Sequence, residues 1–97
     1  MSAGVDRVSQ RFAANLQRHR KTAGLSQEAL AFTAGIHQTQ ISLMERSGTR
    51  LPRLITFIKL RGALGVSADA LLDGIEFQPY VLIDSGGIRI TDPEERQ

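Results

Sequence analysis

The sequence predicts an all-α domain of five helices, followed by a short C-terminal β-hairpin. Apolar residues recur at helical spacing through residues 1–74, and glycines punctuate these stretches. After residue 74 the pattern changes to short β-prone runs around a glycine-rich turn signal. A chain of 97 residues has the size of one small domain. We therefore distinguish a helical domain, residues 1–74, from a C-terminal element, residues 75–97.

The first helix is expected from about Val5 to Thr22, and Gly24 ends it. Its apolar residues lie three or four positions apart, which places them on one helix face. These residues are Val5, Val8, Phe12 and Leu16. The polar residues between them make the helix amphipathic, so one face is expected to be buried.

A second and a third helix are expected on either side of Gly35. Ser26 is a suitable N-cap for the second helix, and Gly35 can adopt the left-handed conformation that ends it. The third helix is predicted from about Gln38 to Arg46, buried through Ile41 and Met44. Two short helices joined by a tight turn are typical of a helix-turn-helix, whose second helix can lie in the major groove of DNA.

The fourth and fifth helices are expected between Pro52 and Gly74. Pro52 is placed near the first turn of the fourth helix, where its missing N–H is harmless, and Gly65 ends that helix. Ser67 is expected to cap the short fifth helix. The apolar stripe of the fourth helix is predicted to be Leu54, Phe57, Ile58, Ala63 and Leu64.

The C-terminal element predicts a hairpin of Tyr80–Asp84 with Gly87–Thr91, and the tail that follows it is charged. An isolated two-stranded hairpin is marginally stable in water, so it needs the helices or another subunit to pack against. One possibility is homodimerisation. The other is that an exposed edge strand binds a partner protein such as a toxin. The residues predicted at this dimer or partner interface are Tyr80, Leu82, Ile88 and Ile90.

Charge is distributed unevenly along the chain. Residues 1–65 contain ten basic and three acidic residues, whereas residues 66–97 contain two basic and seven acidic residues. This asymmetry suggests a basic segment that meets a polyanion, although a solvated basic helix face would show the same pattern.

Several classes of function are excluded or disfavoured by what the chain lacks. There is no cysteine, so disulfides, thiolate catalysis and cysteine metal sites are excluded. No apolar run reaches the length needed to cross a bilayer, and the first residues lack the apolar core of a secretory signal. No nucleophile–base pair, paired carboxylates or phosphate-binding glycine loop is recognisable. We expect a cytoplasmic protein that is not an enzyme, with no cofactor, no metal and no membrane association.

The stretch LSQEALAFTAGIHQTQISLMERSGTRLP resembles the phage-repressor/Cro-type (Xre) helix-turn-helix family. That family's pattern is L-S-Q-x-x-L-A, a small residue, Gly, a hydrophobic residue, and later I-S-x-x-E. It is matched by Leu25, Ser26, Gln27, Leu30, Ala31, Ala34, Gly35, Ile36, Ile41, Ser42 and Glu45. The resemblance covers about residues 12–74. It implies a five-helix, lambda-repressor-like fold that binds double-stranded DNA, usually as a symmetric dimer.

The resemblance also implies roles for individual residues. Burial of Ile41 and Met44 leaves Gln38, Thr39, Ser42 and Leu43 on the outer side of the third helix, where the family reads bases. Arg20 and Glu45 match positions that pair with each other between the first and third helices. The residues expected to contact DNA phosphates are Gln27, His37, Gln40, Arg46, Arg50 and Arg53.

Three functions agree with these features. The first is a transcriptional regulator, expected to be a repressor, that binds a palindromic operator as a homodimer. The second is an antitoxin that represses its own operon and binds a toxin through the C-terminal element. The third is a protein-interaction adaptor that keeps the fold without binding DNA.

Overall fold

The computed structural model describes residues 3–46, 50–76, 80–84 and 87–91, and the side chains of 7–46 and 50–76. The described elements are α1 Ala3–Thr22, α2 Gln27–Ala34, α3 Gln38–Glu45, α4 Leu54–Leu64, α5 Ala68–Leu71, β1 Tyr80–Asp84 and β2 Gly87–Thr91. All five predicted helices are present. Part of the loop after α3, the hairpin turn and the charged tail lie outside the described residues.

Local capping signals set the ends of α2 and α5. The Ser26 hydroxyl accepts a hydrogen bond from the Ala29 N–H at 3.0 Å, and the Ser67 hydroxyl does the same for Ala70 at 3.1 Å. Gly35 ends α2 with φ +72°, in the left-handed region that side chains other than glycine rarely adopt. The chain therefore passes from α2 to α3 within residues 35–37.

The core lies where the five helices meet. Each helix contributes at least one buried apolar side chain, so no helix is packed independently of the others. The core residues are Phe12, Leu16, Leu30, Ala31, Ala34, Ile41, Met44, Leu60 and Leu71. Among the described helices, none is long and apolar enough to cross a membrane.

The predicted apolar stripe of α4 is wrong in part. Leu54 and Ile58 are 73% and 52% exposed, whereas the buried residues of α4 are Thr56 and Leu60. Phe57 packs against Phe12 with ring centroids 6.2 Å apart. The first turns of α4 are apolar on nearly every side, so the residue spacing does not determine which face turns inward.

Pro52 lies near the first turn of α4, as expected, but just before the helix. The helix begins at Leu54, its N-cap is Arg53 in an extended conformation, and Pro52 precedes that cap. Proline fits an extended segment before a helix as well as it fits the first helical turn.

A row of polar side chains on α1 anchors the end of α5. The Asn15 amide donates to the carbonyls of Leu71 and Asp73 at 2.9 and 2.8 Å, and Arg11 Nε donates to the Asp73 carbonyl at 3.0 Å. His19 Nε2 lies 3.3 Å from the Ala70 carbonyl. Carbonyls at a helix end lack intrahelical donors, so α1 supplies the hydrogen bonds that this short helix cannot make itself.

The two strands pair antiparallel. Val81 lies opposite Ile90, Leu82 opposite Arg89 and Ile83 opposite Ile88. The side chains of both strands lie outside the described residues. Packing of the hairpin against the helices or against another subunit therefore remains a prediction.

Replacing Asn15 with leucine is expected to lower the free energy of unfolding by about 1–3 kcal/mol. Asn15 is fully buried, and its loss leaves the Leu71 carbonyl without a donor, whereas the Asp73 carbonyl keeps Arg11. Urea unfolding measures the change. The exposed Gln17→Leu on the same helix is the control and should stay within about 0.5 kcal/mol of wild type. Equal stability of the two variants would contradict the anchoring role.

Candidate nucleic-acid interface

The α2–turn–α3 unit buries its inner side and exposes the start of α3. Leu30 and Ala31 of α2 are buried with Ile41 and Met44 of α3. These contacts fix the rotation of α3, because an eight-residue helix has little stability of its own. The opposite side of its first turn carries Gln38 and Thr39, both of which are exposed.

An ion pair between α1 and α3 fixes the far end of α3. Arg20 Nε lies 2.7 Å from Glu45 Oε2, and Arg20 Nη2 donates to Glu45 Oε1 at 2.9 Å. The side chains are only 10% and 3% exposed. Arg20 Nη1 also donates to the Leu25 carbonyl at 2.8 Å, so the same guanidinium holds the loop before α2. The predicted structural pair is therefore present, and it joins three segments.

The positive charge of Arg20 is stable. The hydrogen bond to Glu45 raises the pKa of Arg20, burial opposes this rise, and the negative charge of the carboxylate adds to it. An arginine with a raised pKa stays protonated across the physiological range. Arg20 therefore remains the cation of this contact.

Two residues predicted to contact DNA are hydrogen-bonded within the protein. Gln27 Nε2 donates to Glu45 Oε1 at 3.1 Å, and the Ser42 hydroxyl donates to Gln27 Oε1 at 3.3 Å. Both side chains are half-buried. The ion pair thus extends into a chain, Arg20–Glu45–Gln27–Ser42, that connects α1, α2 and α3.

The other predicted contact residues surround the start and end of α3. His37 is the exposed N-cap, and its N–H donates to the Gln40 side-chain oxygen at 3.3 Å, so Gln40 helps to close the first turn. Leu43 is half-buried. Arg46, the C-cap, is exposed, as are Arg50 and Arg53 beyond it.

A groove of about 350 Å³ separates the start of α3 from α4. His37 and Gln40 line it on one side, and Arg50, Arg53 and Lys59 on the other. All its charged lining residues are basic. Lys59 was missed by the sequence analysis, because its place in the lining of the groove depends on which face of α4 turns inward.

Some predicted features receive no structural description here. Among the residues that the structure describes, no group of three or more histidine, cysteine, aspartate or glutamate side chains could hold a metal ion. The side chains of Tyr80, Leu82, Ile88 and Ile90 lie outside the described residues, so the interface assigned to them stays a prediction.

Taken together, these features define a helix-turn-helix domain. Residues 16–71 match the helix-turn-helix family model HTH_3, and the chain belongs to this family. A curated relative is the uncharacterized HTH-type transcriptional regulator y4dJ of Sinorhizobium fredii. It is 38% identical over 66 residues, which cover 68% of this chain and 84% of the relative.

Solved structures of a controller protein and of a master regulator share the fold. The restriction-modification controller protein C.AhdI from Aeromonas hydrophila is 33% identical with a TM-score of 0.61, covering 65% of this chain and 94% of that protein. SinR, a master regulator of biofilm formation solved in complex with DNA, is 31% identical with a TM-score of 0.60. The match covers 64% of this chain and 98% of SinR.

An enzyme also contains this fold. Hydroxypropylphosphonic acid epoxidase from S. wedmorenis is 24% identical with a TM-score of 0.60, over 91% of this chain and 44% of the enzyme. At this level of identity the likeness shows a shared fold and nothing about activity.

Breaking the Arg20–Glu45 pair is expected to cost much more stability than breaking an exposed pair. Arg20→Met leaves a nearly buried carboxylate without its cation and should lower the free energy of unfolding by about 3–5 kcal/mol. Arg18→Met, which removes an exposed contact to Asp73 at 3.7 Å, should cost less than about 1 kcal/mol. Denaturant unfolding measures both.

The double variant Arg20→Met, Glu45→Leu separates the effect of the unpaired charge on stability from the effect of altered packing. It should recover most of the lost stability, because two apolar side chains can replace a buried ion pair. If the double variant were less stable than Arg20→Met alone, the unpaired carboxylate would not be the cause of the loss.

Proposed function

We propose that this protein is a sequence-specific regulator of transcription that binds double-stranded DNA and acts as a repressor in the cytoplasm. The observation that carries the proposal is the placement of Gln38 and Thr39. Both are exposed on the first turn of a helix whose other side is held by the core and by the Arg20–Glu45 pair. Membership of the helix-turn-helix family and the DNA complex of SinR support it.

The proposed base contacts use the outer side of α3. A glutamine can bond both N6 and N7 of adenine, so Gln38 suits an A·T pair. The Thr39 methyl group, and Leu43 about one turn further, suit thymine methyl groups. Ser42 would have to release its hydrogen bond to Gln27 in order to reach a base edge, which makes it the most costly of the four contacts.

The proposed phosphate contacts lie on either side of α3 and position it in the groove. They are Gln27, His37, Gln40, Arg46, Arg50 and Arg53. The three arginines follow α3 in the chain and are exposed, as expected for side chains that meet a polyanion. Such contacts supply affinity that is independent of sequence.

We further propose that the protein binds a palindromic operator as a homodimer. Half-sites read by two recognition helices would lie about 34 Å apart. The C-terminal hairpin would supply the dimer surface through Tyr80, Leu82, Ile88 and Ile90. The register places Val81 opposite Ile90 and Ile83 opposite Ile88, so these four positions share one face of the hairpin, whereas Tyr80 and Leu82 alternate to the other face.

Binding to a mixed-sequence duplex between about 50 and 200 mM salt tests the DNA-binding proposal. The wild-type affinity should fall by orders of magnitude over this range, because several phosphate contacts release counterions. Arg50→Ala should weaken binding to all sequences alike and reduce the slope against salt by about 1. Absence of salt-dependent binding would instead favour an interaction adaptor and overturn the proposal.

Selection of bound duplexes from a random library tests sequence specificity and symmetry. The selected sites should be palindromic, and Gln38→Ala should lose about 1–3 kcal/mol on them while it keeps the wild-type affinity for random DNA. Ala14→Gly provides a helix substitution on the exposed side of α1 as the control. Equal losses on selected and random DNA would remove Gln38 from base reading, and a single unrepeated site would argue against the dimer.

A further inference from the structure

We propose that the exposed face of α4 binds an acidic, amphipathic helix of a partner protein. This face consists of Leu54, Ile55, Ile58, Lys59, Arg61 and Gly62. The inference goes beyond the proposed DNA-binding function and does not depend on it, because only Ile55 and Lys59 of this face also border the groove beside α3. It is carried by the exposed apolar side chains, by the position of Gly62 and by the charges that flank them.

Three large apolar side chains of α4 are in contact with solvent. Leu54, Ile55 and Ile58 are between 52% and 73% exposed. Ile58 lies about one turn beyond Leu54 and Ile55, so the three side chains are neighbours on the helix surface. Single exposed apolar residues are ordinary, whereas a contiguous group of them marks an interaction site.

Gly62 lies one turn beyond Ile58 on the same side of α4. A glycine inside a helix is destabilising relative to alanine, and the fold of the described residues does not require it here. A Cβ atom at position 62 would meet no described atom within 4 Å, and the φ angle of Gly62 is not positive. A helix surface without a side chain allows another backbone to approach closely. The row Leu54, Ile58 and Gly62 therefore suits a second helix that crosses α4.

Basic side chains border this row on both sides. Lys59 and Arg61 follow Ile58 by one and three positions, which turns them to opposite sides of the row. Arg61 Nη1 donates to the Val66 carbonyl at 3.2 Å, and its charge stays at the surface. Among the described side chains, no carboxylate forms an ion pair with either cation, and α4 itself contains no acidic residue. An apolar row between two cations is complementary to a helix whose apolar stripe is flanked by aspartate or glutamate.

The same charges disfavour a second copy of this chain as the occupant. A two-fold symmetric contact places the same patch on both protomers, so Lys59 and Arg61 would meet identical cations. Like charges that face each other across an interface oppose association. A lipid surface would gain nothing from Gly62, because only a rigid partner needs the space that a missing side chain leaves. The charges and Gly62 together favour an acidic protein helix.

A synthetic helix tests the proposal. The probe is a fluorescently labelled peptide of about 18 residues, long enough to form a helix, with leucine at helical spacing and glutamate on both sides of the leucine stripe. A matched peptide carries lysine in place of every glutamate. Fluorescence anisotropy should show that the acidic peptide binds about 10-fold more tightly than the basic one. No binding of the acidic peptide, or equal binding of both peptides, would overturn the proposal.

Ile58→Gln removes apolar surface from the face without changing its charge. It should weaken binding of the acidic peptide about 10-fold, because the isoleucine side chain is buried in the complex. Phe32→Gln makes the same kind of change at an 87% exposed residue of α2 and should bind the peptide as wild type does. Equal losses for the two variants would indicate non-specific hydrophobic binding and contradict the assignment to α4.

Substitution of Gly62 separates a docking role from a role in folding. Gly62→Gln should raise the melting temperature, because glutamine is the better helix former, and Gly62→Ala should do the same. Gly62→Gln should nevertheless weaken binding of the acidic peptide about 10-fold, because its side chain fills the space for the second helix. Gly62→Ala should stay within about threefold of wild type. Wild-type affinity of Gly62→Gln would refute a close helix contact at this position.

The other possible occupants have outcomes of their own. If Ile58→Gln converts a wild-type dimer to a monomer in analytical ultracentrifugation, a second copy covers this face and the proposal fails. If phosphatidylglycerol vesicles bind wild type and Gly62→Gln alike, and compete with the acidic peptide, the face binds lipid instead. The peptide measurements contain no duplex, so failure of the DNA-binding proposal would leave their outcome unchanged.

Discussion

The buried contact between Arg20 and Glu45 is the interaction on which the placement of α3 depends. Glu45 is the last residue of α3, where a negative charge opposes the helix dipole, so it does not stabilise this helix locally. Its carboxylate is 3% exposed and would be strongly unfavourable there without Arg20. The guanidinium contacts both carboxylate oxygens and the Leu25 carbonyl, so it joins α1, the loop before α2 and the end of α3. The net stability that such a pair contributes is small when desolvation offsets the attraction, although removing one partner alone is costly.

This arrangement separates the polar residues of the α2–α3 unit into two groups. Gln27 and Ser42 are half-buried and extend the ion pair, so their side chains are already hydrogen-bonded within the protein. Gln38 and Thr39 lie at the other end of α3 and stay exposed. The hydrogen-bonded network holds α3 at one end, and Ile41 and Met44 hold it along its length. A recognition helix held in this way loses little conformational freedom on binding. Preorganisation of this kind lowers the entropic cost of recognition.

Elements with strong local signals were predictable from the sequence, and those that depend on packing were not. Ser26 and Gly35 act through their own backbone and side-chain chemistry, so the bounds of α2 follow from the residues alone. The buried face of α4 depends on which of its apolar residues meet α1 and α2. Nearly every side of its first turns is apolar, so the spacing could not identify that face. The assignment of Leu54 and Ile58 to the core was therefore wrong. The pairing of Arg20 with Glu45 required a family pattern, because no spacing rule connects residues on two different helices.

The orientation of α4 is not the one that would bury all of its most apolar residues. The helix leaves Leu54 73% exposed and buries Thr56, although burying a leucine side chain is worth about 1.5–3 kcal/mol. Phe57 and Leu60 keep the helix attached to the core in this orientation, which turns Thr56 and Lys59 to the groove beside α3. The packing of Phe57 and Leu60 against the core thus takes precedence over the burial of Leu54, and it places a polar residue, Thr56, where an apolar one could also have been buried.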